Sequence, residues 1–142
     1  MLHQLVPFVM KHWALASAFV IVLILLVLEE ARSQSSRGEQ VSVMIAVNMI
    51  NREDALVVDL RDPKAFNDAH IVNAKNFPLV DFDREQSRLE AFRERRIILV
   101  DAMGLKTAPI AKRLKDAGFN KVASLKGGLD AWKTANMPTV KK

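Results

Sequence analysis

The sequence predicts an α/β fold, a parallel sheet flanked by helices on both faces, preceded by one apolar N-terminal helix. Three observations predict it. Residues 13–28 carry no charge, no Gly and no Pro, whereas the rest of the chain is mixed polar and apolar. Short and nearly continuous apolar runs recur at residues 55–60, 97–100 and 121–125, as expected of strands buried on both faces. Segments with helical spacing of apolar residues alternate with those runs, the pattern of a parallel sheet with crossover helices.

Taken in chain order, residues 13–28 cover about 24 Å as a helix, short of a bilayer core of roughly 30 Å. Extension back through residues 6–10 supplies the length, provided that Lys11 snorkels and Trp13 sits in the interface. The run is apolar on every face, which the remaining 114 or so residues could not cover, so a buried globular helix is the weaker reading. A cleavable signal peptide is the stronger rival, with Ala31-Arg32-Ser33 as a small-x-small triplet. Glu29 and Glu30, directly after the run, oppose it. The expectation is therefore a transmembrane anchor over residues 1–28, with 13–28 against lipid. Residues 29–40, polar and small, read as a flexible linker, and 41–142 as the folded domain. Lys11 and the terminal amine precede the span and Arg32 and Arg37 follow it, a basic count that leans toward a cytoplasmic C-terminal domain.

Within the domain, Ser42 is an N-cap for a helix to about Ile50, with Val43, Val47 and Ile50 on one face. Asp62-Pro63 opens a helical turn through Asp68, because Pro suits the first helical position. Residues 83–96 place Leu89 and Phe92 at helical spacing among charges that read as a solvated face. Residues 107–117 form a helix with Ile110, Ala111 and Leu114 inward and Gly118 ending it. Gly127-Gly128 turns the chain into a last helix holding Trp132. Ligands of such sheets sit at the carboxyl ends of the strands, an edge that carries Asp59, Asp101 and Lys126.

Composition excludes whole classes of chemistry. There is no cysteine, so no disulfide, thiolate nucleophile or Cys-type zinc site can form. His3, His12 and His70 are far apart and no HExxH occurs, so no metal or other cofactor is expected. All 16 acidic residues lie at or beyond Glu29, and of 21 basic residues only Lys11 precedes it. The resulting small positive excess suits an anionic lipid surface. Without Tyr or a basic–aromatic platform, nucleic acid is not an expected partner.

Three blocks carry a family resemblance. VVDLRDPKAFNDAHIVNAKNFPL (57–79), IILVDAMGLKTAPIAKRLKDAGF (97–119) and VASLKGGLDAW (122–132) stand in order and resemble the rhodanese family. The likeness runs from about Val41 to Val140, and implies a rhodanese-like sheet. One span followed by such a domain also resembles bacterial inner-membrane proteins that lack the usual loop cysteine. Family enzymes take a sulfane sulfur onto a cysteine at a strand end, within Cys-x-x-Gly-x-Arg-Ser. Counting back from Gly104, that position is Asp101; Lys106 and Thr107 stand at the Arg and Ser positions. The resemblance therefore implies the fold and not the activity.

The degenerate loop Asp101-Ala102-Met103-Gly104-Leu105-Lys106-Thr107 should still aim N–H groups inward, and a carboxylate at Asp101 would fill that nest with the protein's own anion. Asp101, Lys106, Asp59 and Arg61 are the candidate contacts for a ligand or partner; bracing of strand-end loops is the plainer role for Asp59 and Arg61. His70 reads as a buried, hydrogen-bonded histidine and Trp132 as core. A receiver-like phosphoacceptor set of Asp59, Asp101 and Lys126 fails on spacing, since only one helix and one strand separate Asp101 from Lys126. The favoured expectation is a catalytically inactive module at the bacterial inner membrane that binds other inner-membrane proteins. Two alternatives stay open: an enzyme using Asp101 and Lys106 on a small anionic or phosphorylated substrate, and an accessory to sulfur transfer with a partner's thiol.

Overall fold

A computed structural model describes residues 11–142. The chain divides between Ser35 and Ser36 into two units. The first contains most of helix α1, Trp13–Arg37, whose stretch Trp13–Arg32 is long and apolar enough to cross a membrane. Residues 6–10, which the sequence reading adds to the span, lie outside the described residues. The expected linker over 29–40 differs from what is observed. Glu29, Glu30, Ala31 and Arg32 are good helix formers with no Gly or Pro until Gly38, so α1 runs on through Arg37. The next residues, Glu39–Val41, form a strand, β1.

The second unit is a five-stranded, wholly parallel sheet in the order β1-β6-β5-β2-β4. Here β2 is Leu56–Asp59, β4 Lys75–Asn76, β5 Ile97–Val100 and β6 Val122–Leu125. A separate antiparallel pair joins β3, His70–Ile71, to β7, Thr139–Val140. Every residue of the three central strands is buried, which explains their continuous apolar character. Strand alternation splits the core into two layers. Leu56, Val58, Ile97, Leu99 and Val122 pack on one face, with Leu89 and Leu114; Val57, Ile98, Val100, Ala123 and Leu125 pack on the other, with Trp132.

Helix α2, Val43–Arg52, starts at Ser42, whose Oγ accepts the Ile45 N–H. Its buried centre is Ala46 and Met49, flanked by the half-buried Val43, Val47 and Ile50. Helix α3, Pro63–Asp68, has Asp62 as its N-cap, the carboxylate accepting the Ala65 N–H at 3.0 Å. The single helix expected over 83–96 is not formed. Helix α4, Phe82–Glu85, gives way to a 3₁₀ stretch, Gln86–Phe92. The side-chain spacing is compatible with the tighter form. Leu89 and Phe92 are three apart, as are Arg88–Glu85 and Arg93–Glu90, and 3₁₀ geometry eclipses residues at that interval.

Helix α5, Thr107–Asp116, buries Ile110, Ala111 and Leu114. It closes with Gly118 N–H on Lys115 O and Phe119 N–H on Leu114 O, a Schellman motif whose apolar partners, Leu114 and Phe119, both lie in the core. Helix α6, Gly128–Thr134, holds Trp132, whose Nε1–H donates to Pro138 O at 3.0 Å.

Candidate functional site

Strands β2 and β5 are adjacent and parallel, so the loops after Asp59 and after Val100 leave the same edge of the sheet. Asp101 follows β5 and is 5% exposed. The chain turns sharply here through Gly104, at φ +80°, and doubles back so that three successive N–H groups face the Asp101 carboxylate. Oδ1 accepts the Gly104 N–H at 2.5 Å, and Oδ2 accepts those of Leu105 at 3.0 Å and Lys106 at 2.8 Å. Helix α5 begins at the next residue, adding the positive end of its dipole to the same carboxylate. Both oxygens of the only acidic side chain in the loop are thus engaged by backbone donors.

A second turn locks the loop from behind. The Leu129 N–H donates to Asp101 O at 2.9 Å and the Asp130 N–H to Ala102 O at 3.0 Å, so loop carbonyls cap the first turn of α6. This approach requires glycine. A Cβ on Gly128, at φ +60°, would lie 2.5 Å from Asp101 O, and one on Gly104 would lie 2.8 Å from Gly127 N. The Gly-Gly of the third sequence block serves this contact.

Asp59 is handled otherwise. It is 1% exposed, and Arg61 grips it with Nε to Oδ1 at 3.0 Å and Nη2 to Oδ2 at 2.7 Å. The Arg61 N–H adds a third bond to Oδ1, and Nη2 also reaches Ala69 O at 2.7 Å. Asn76 Nδ2 donates to Asp59 O and Arg61 O, tying β4 to the loop. His70 is buried, stacked on Phe66 with ring centroids 3.9 Å apart. Its Nδ1 lies 2.8 Å from Phe66 O, and a carbonyl can only accept, so Nδ1 carries the proton.

Between the two loops lies a cleft of about 470 Å³. The structure brings Asp101, Lys106 and Arg61 together along it, whereas Asp59 is sealed beneath its arginine and Lys126 does not line it. Sequence reasoning missed the apolar part of this cleft, formed by Leu79, Val80, Met103 and Leu105 among others. The sequence shows apolar residues inside two predicted loops, a pattern as consistent with packing inward as with lining a cleft.

Comparison with known proteins places this geometry in context. Residues 42–135 match a family model described as "Rhodanese-like domain". The chain is similar to the uncharacterized protein BU052 of Buchnera aphidicola, 32% identical over 140 residues that cover 98% of this chain and 97% of that one. It is likewise similar to the uncharacterized protein YibN of Escherichia coli strain K12, 30% identical over 141 residues and 99% of each chain. Among solved structures, it is similar to the rhodanese-like domain of the Alr3790 protein from Anabaena. That likeness has 33% identity and a TM-score of 0.63, covering 72% of this chain and 79% of that one.

Proposed function

Because this chain belongs to the rhodanese-like domain family, we propose that it is a membrane-anchored and catalytically silent member that acts by binding other proteins at the bacterial inner membrane. The observation that carries this reading is the Asp101 carboxylate seated on the N–H groups of Gly104, Leu105 and Lys106. Sulfur transfer of the family type needs a thiolate at that place, and the chain has no cysteine anywhere. A carboxylate whose two oxygens already accept three hydrogen bonds is a poor nucleophile, which disfavours Asp101 as a replacement catalyst with Lys106. The loop is nevertheless fully built, with its glycines and its cap on α6 intact, which favours a retained surface.

Anchoring rests on the stretch Trp13–Arg32 of α1, 20 residues long and uncharged as far as Leu28, which is not buried within the protein. Tethering confines the domain to a membrane surface and raises its effective concentration toward partners held there. The balance of Arg32 and Arg37 against Lys11 favours a cytoplasmic domain. A reporter fused to the C-terminus reads the side directly.

The test is affinity capture from detergent extracts with the full chain, with residues 1–40 alone, and with full chains altered in the loop. Partners enriched by the full chain and lost with residues 1–40 support the proposal. Identical enrichment by residues 1–40 would refute it.

A further inference from the structure

The two faces of the sheet are covered by different chemistry. On the face packed by Leu89 and Leu114, residues 82–96 and 107–116 expose charges of both signs, joined by ion pairs such as Arg88–Glu85, Arg93–Glu90 and Lys112–Asp116. On the face packed by Trp132, helix α2 has no acidic residue and exposes Met44 at 71% and Ile45 at 50%. Met44 lies one turn from Val47, which lines an apolar groove of about 180 Å³ with Ile50, Val72, Met137 and Pro138. Val140 continues the exposed apolar surface beside it, because β7 pairs with β3.

The rim of this surface carries one sign of charge. In the three segments that form the groove, 43–52, 70–74 and 132–142, the charged side chains are Arg52, Lys133, Lys141 and Lys142. Among the described residues none of the four is in an ion pair. The flanking acids Asp68 and Asp130 still leave basic residues in excess.

These features narrow what can cover the surface. A second copy of the same patch would bring rims of like charge together. A small anion would leave Met44, Ile45 and the groove in water. A bilayer surface takes apolar side chains into its interface and meets basic ones with lipid phosphates. It is also within reach of the chain. Helix α2 starts eleven residues after Arg32, the end of the apolar stretch, and α1 takes up those as far as Arg37. Chain geometry then limits the separation to roughly 30 Å.

We propose that this face of the domain, α2 with β3 and β7, docks on the anionic surface of the membrane that anchors the chain. The proposal rests on the anchoring proposed above and adds the surface that meets lipid. It leaves the cleft free for a partner, since groove and cleft share no lining residue.

The purified full chain in nanodiscs, with ¹³C at methionine methyls and a lipid bearing a nitroxide near its headgroup, provides the test. Met44 reports on the proposed face, Met103 is an exposed control in the cleft, and the buried Met49 reports on folding. In discs containing phosphatidylglycerol, the nitroxide should broaden Met44 about threefold more than Met103. Discs of phosphatidylcholine alone, or the double variant Arg52→Glu/Lys133→Glu, should remove most of that difference. Nearness imposed by the tether alone would respond to neither change. An unchanged Met49 signal certifies that the variant still folds. Equal broadening of Met44 and Met103, or a difference that ignores lipid charge, overturns the proposal and leaves anchoring intact. A chain that does not stay with the discs overturns both. Met44 shifts that appear only when a disc holds two chains make a second copy the occupant and overturn the proposal. If Met44 is not broadened and the double variant loses domain-dependent capture, the face takes a protein instead of lipid, and the protein-binding reading stands.

Discussion

Asp59 and Asp101 end neighbouring strands of one sheet, in a register that pairs Asp59 with Val100, and both are almost fully buried. Their partners differ in kind. Asp59 is held by a guanidinium in a two-pronged ion pair, whose arginine is itself fastened to Ala69 O. Among the described residues Asp101 meets no cation; its charge is spread over three backbone N–H groups and the start of α5. An ion pair of fixed geometry suits one partner and serves structure. A nest of N–H groups accepts any anion of the right size, so Asp101 occupies a general receptor that the loop would form for other anions too.

The largest effect should come from breaking the ion pair. Arg61→Ala leaves the Asp59 carboxylate buried without its cation and should cost about 3–5 kcal/mol in denaturant unfolding. A loss below about 1 kcal/mol, the scale of an exposed pair, would mean that the Arg61 and Asp59 contacts are incidental. Next, Gly128→Ala forces a side chain into a left-handed conformation against Asp101 O, and should cost about 2–3 kcal/mol. Its damage should appear at the Asp101 loop, read as faster amide exchange at Gly104, Leu105 and Lys106, with the Asp59 loop unchanged.

Asp101→Ala empties the nest and should cost about 1–3 kcal/mol. Added sulfate should then restore more stability than it gives the unaltered chain, because an external anion can replace the lost carboxylate. The same salt should give no such excess when both members of the ion pair are removed in Asp59→Ala/Arg61→Ala, and equal responses would erase the distinction between the two sites.

The smallest effect belongs to Asp62, beside the first loop. The Ala65 N–H on its carboxylate holds its pKa below the usual carboxylate range. A group whose folded pKa is depressed contributes stability above its unfolded pKa and loses it as pH falls through the folded value. Asp62→Asn keeps the cap and should flatten that acid limb slightly, by comparison of thermal unfolding between neutral and acidic pH.

How much of this was legible follows from the physics of each element. Residues 56–59 and 97–100 are buried on both faces, so their apolar runs stood out, and Asp62-Pro63 marked α3 to the residue. Strands β1, β3, β4 and β7 have only two or three residues, too few for any periodicity to show. Leu89 and Phe92, three apart, suit an α-helix and a 3₁₀-helix equally, and the structure takes the tighter form. At the site, Asp101 could be located by counting back from Gly104. What could not be read was the contact of Gly128 with Asp101 O, which joins residues 27 positions apart. Nor could the sequence tell that Val80 and Leu105 face water, since an apolar residue in a loop is as consistent with packing inward.

The central claim is that the loop is a working anion nest in which Asp101 stands where family enzymes carry the thiol. Thiosulfate:cyanide sulfur transfer by the full chain and by Asp101→Cys tests it most directly. The unaltered chain should give none. In Asp101→Cys the loop N–H groups and α5 should stabilise the thiolate, so that it alkylates faster than an exposed cysteine and transfers measurable sulfur to cyanide. Transfer by the unaltered chain, or an introduced thiol in Asp101→Cys no more reactive than a free one, would contradict the account.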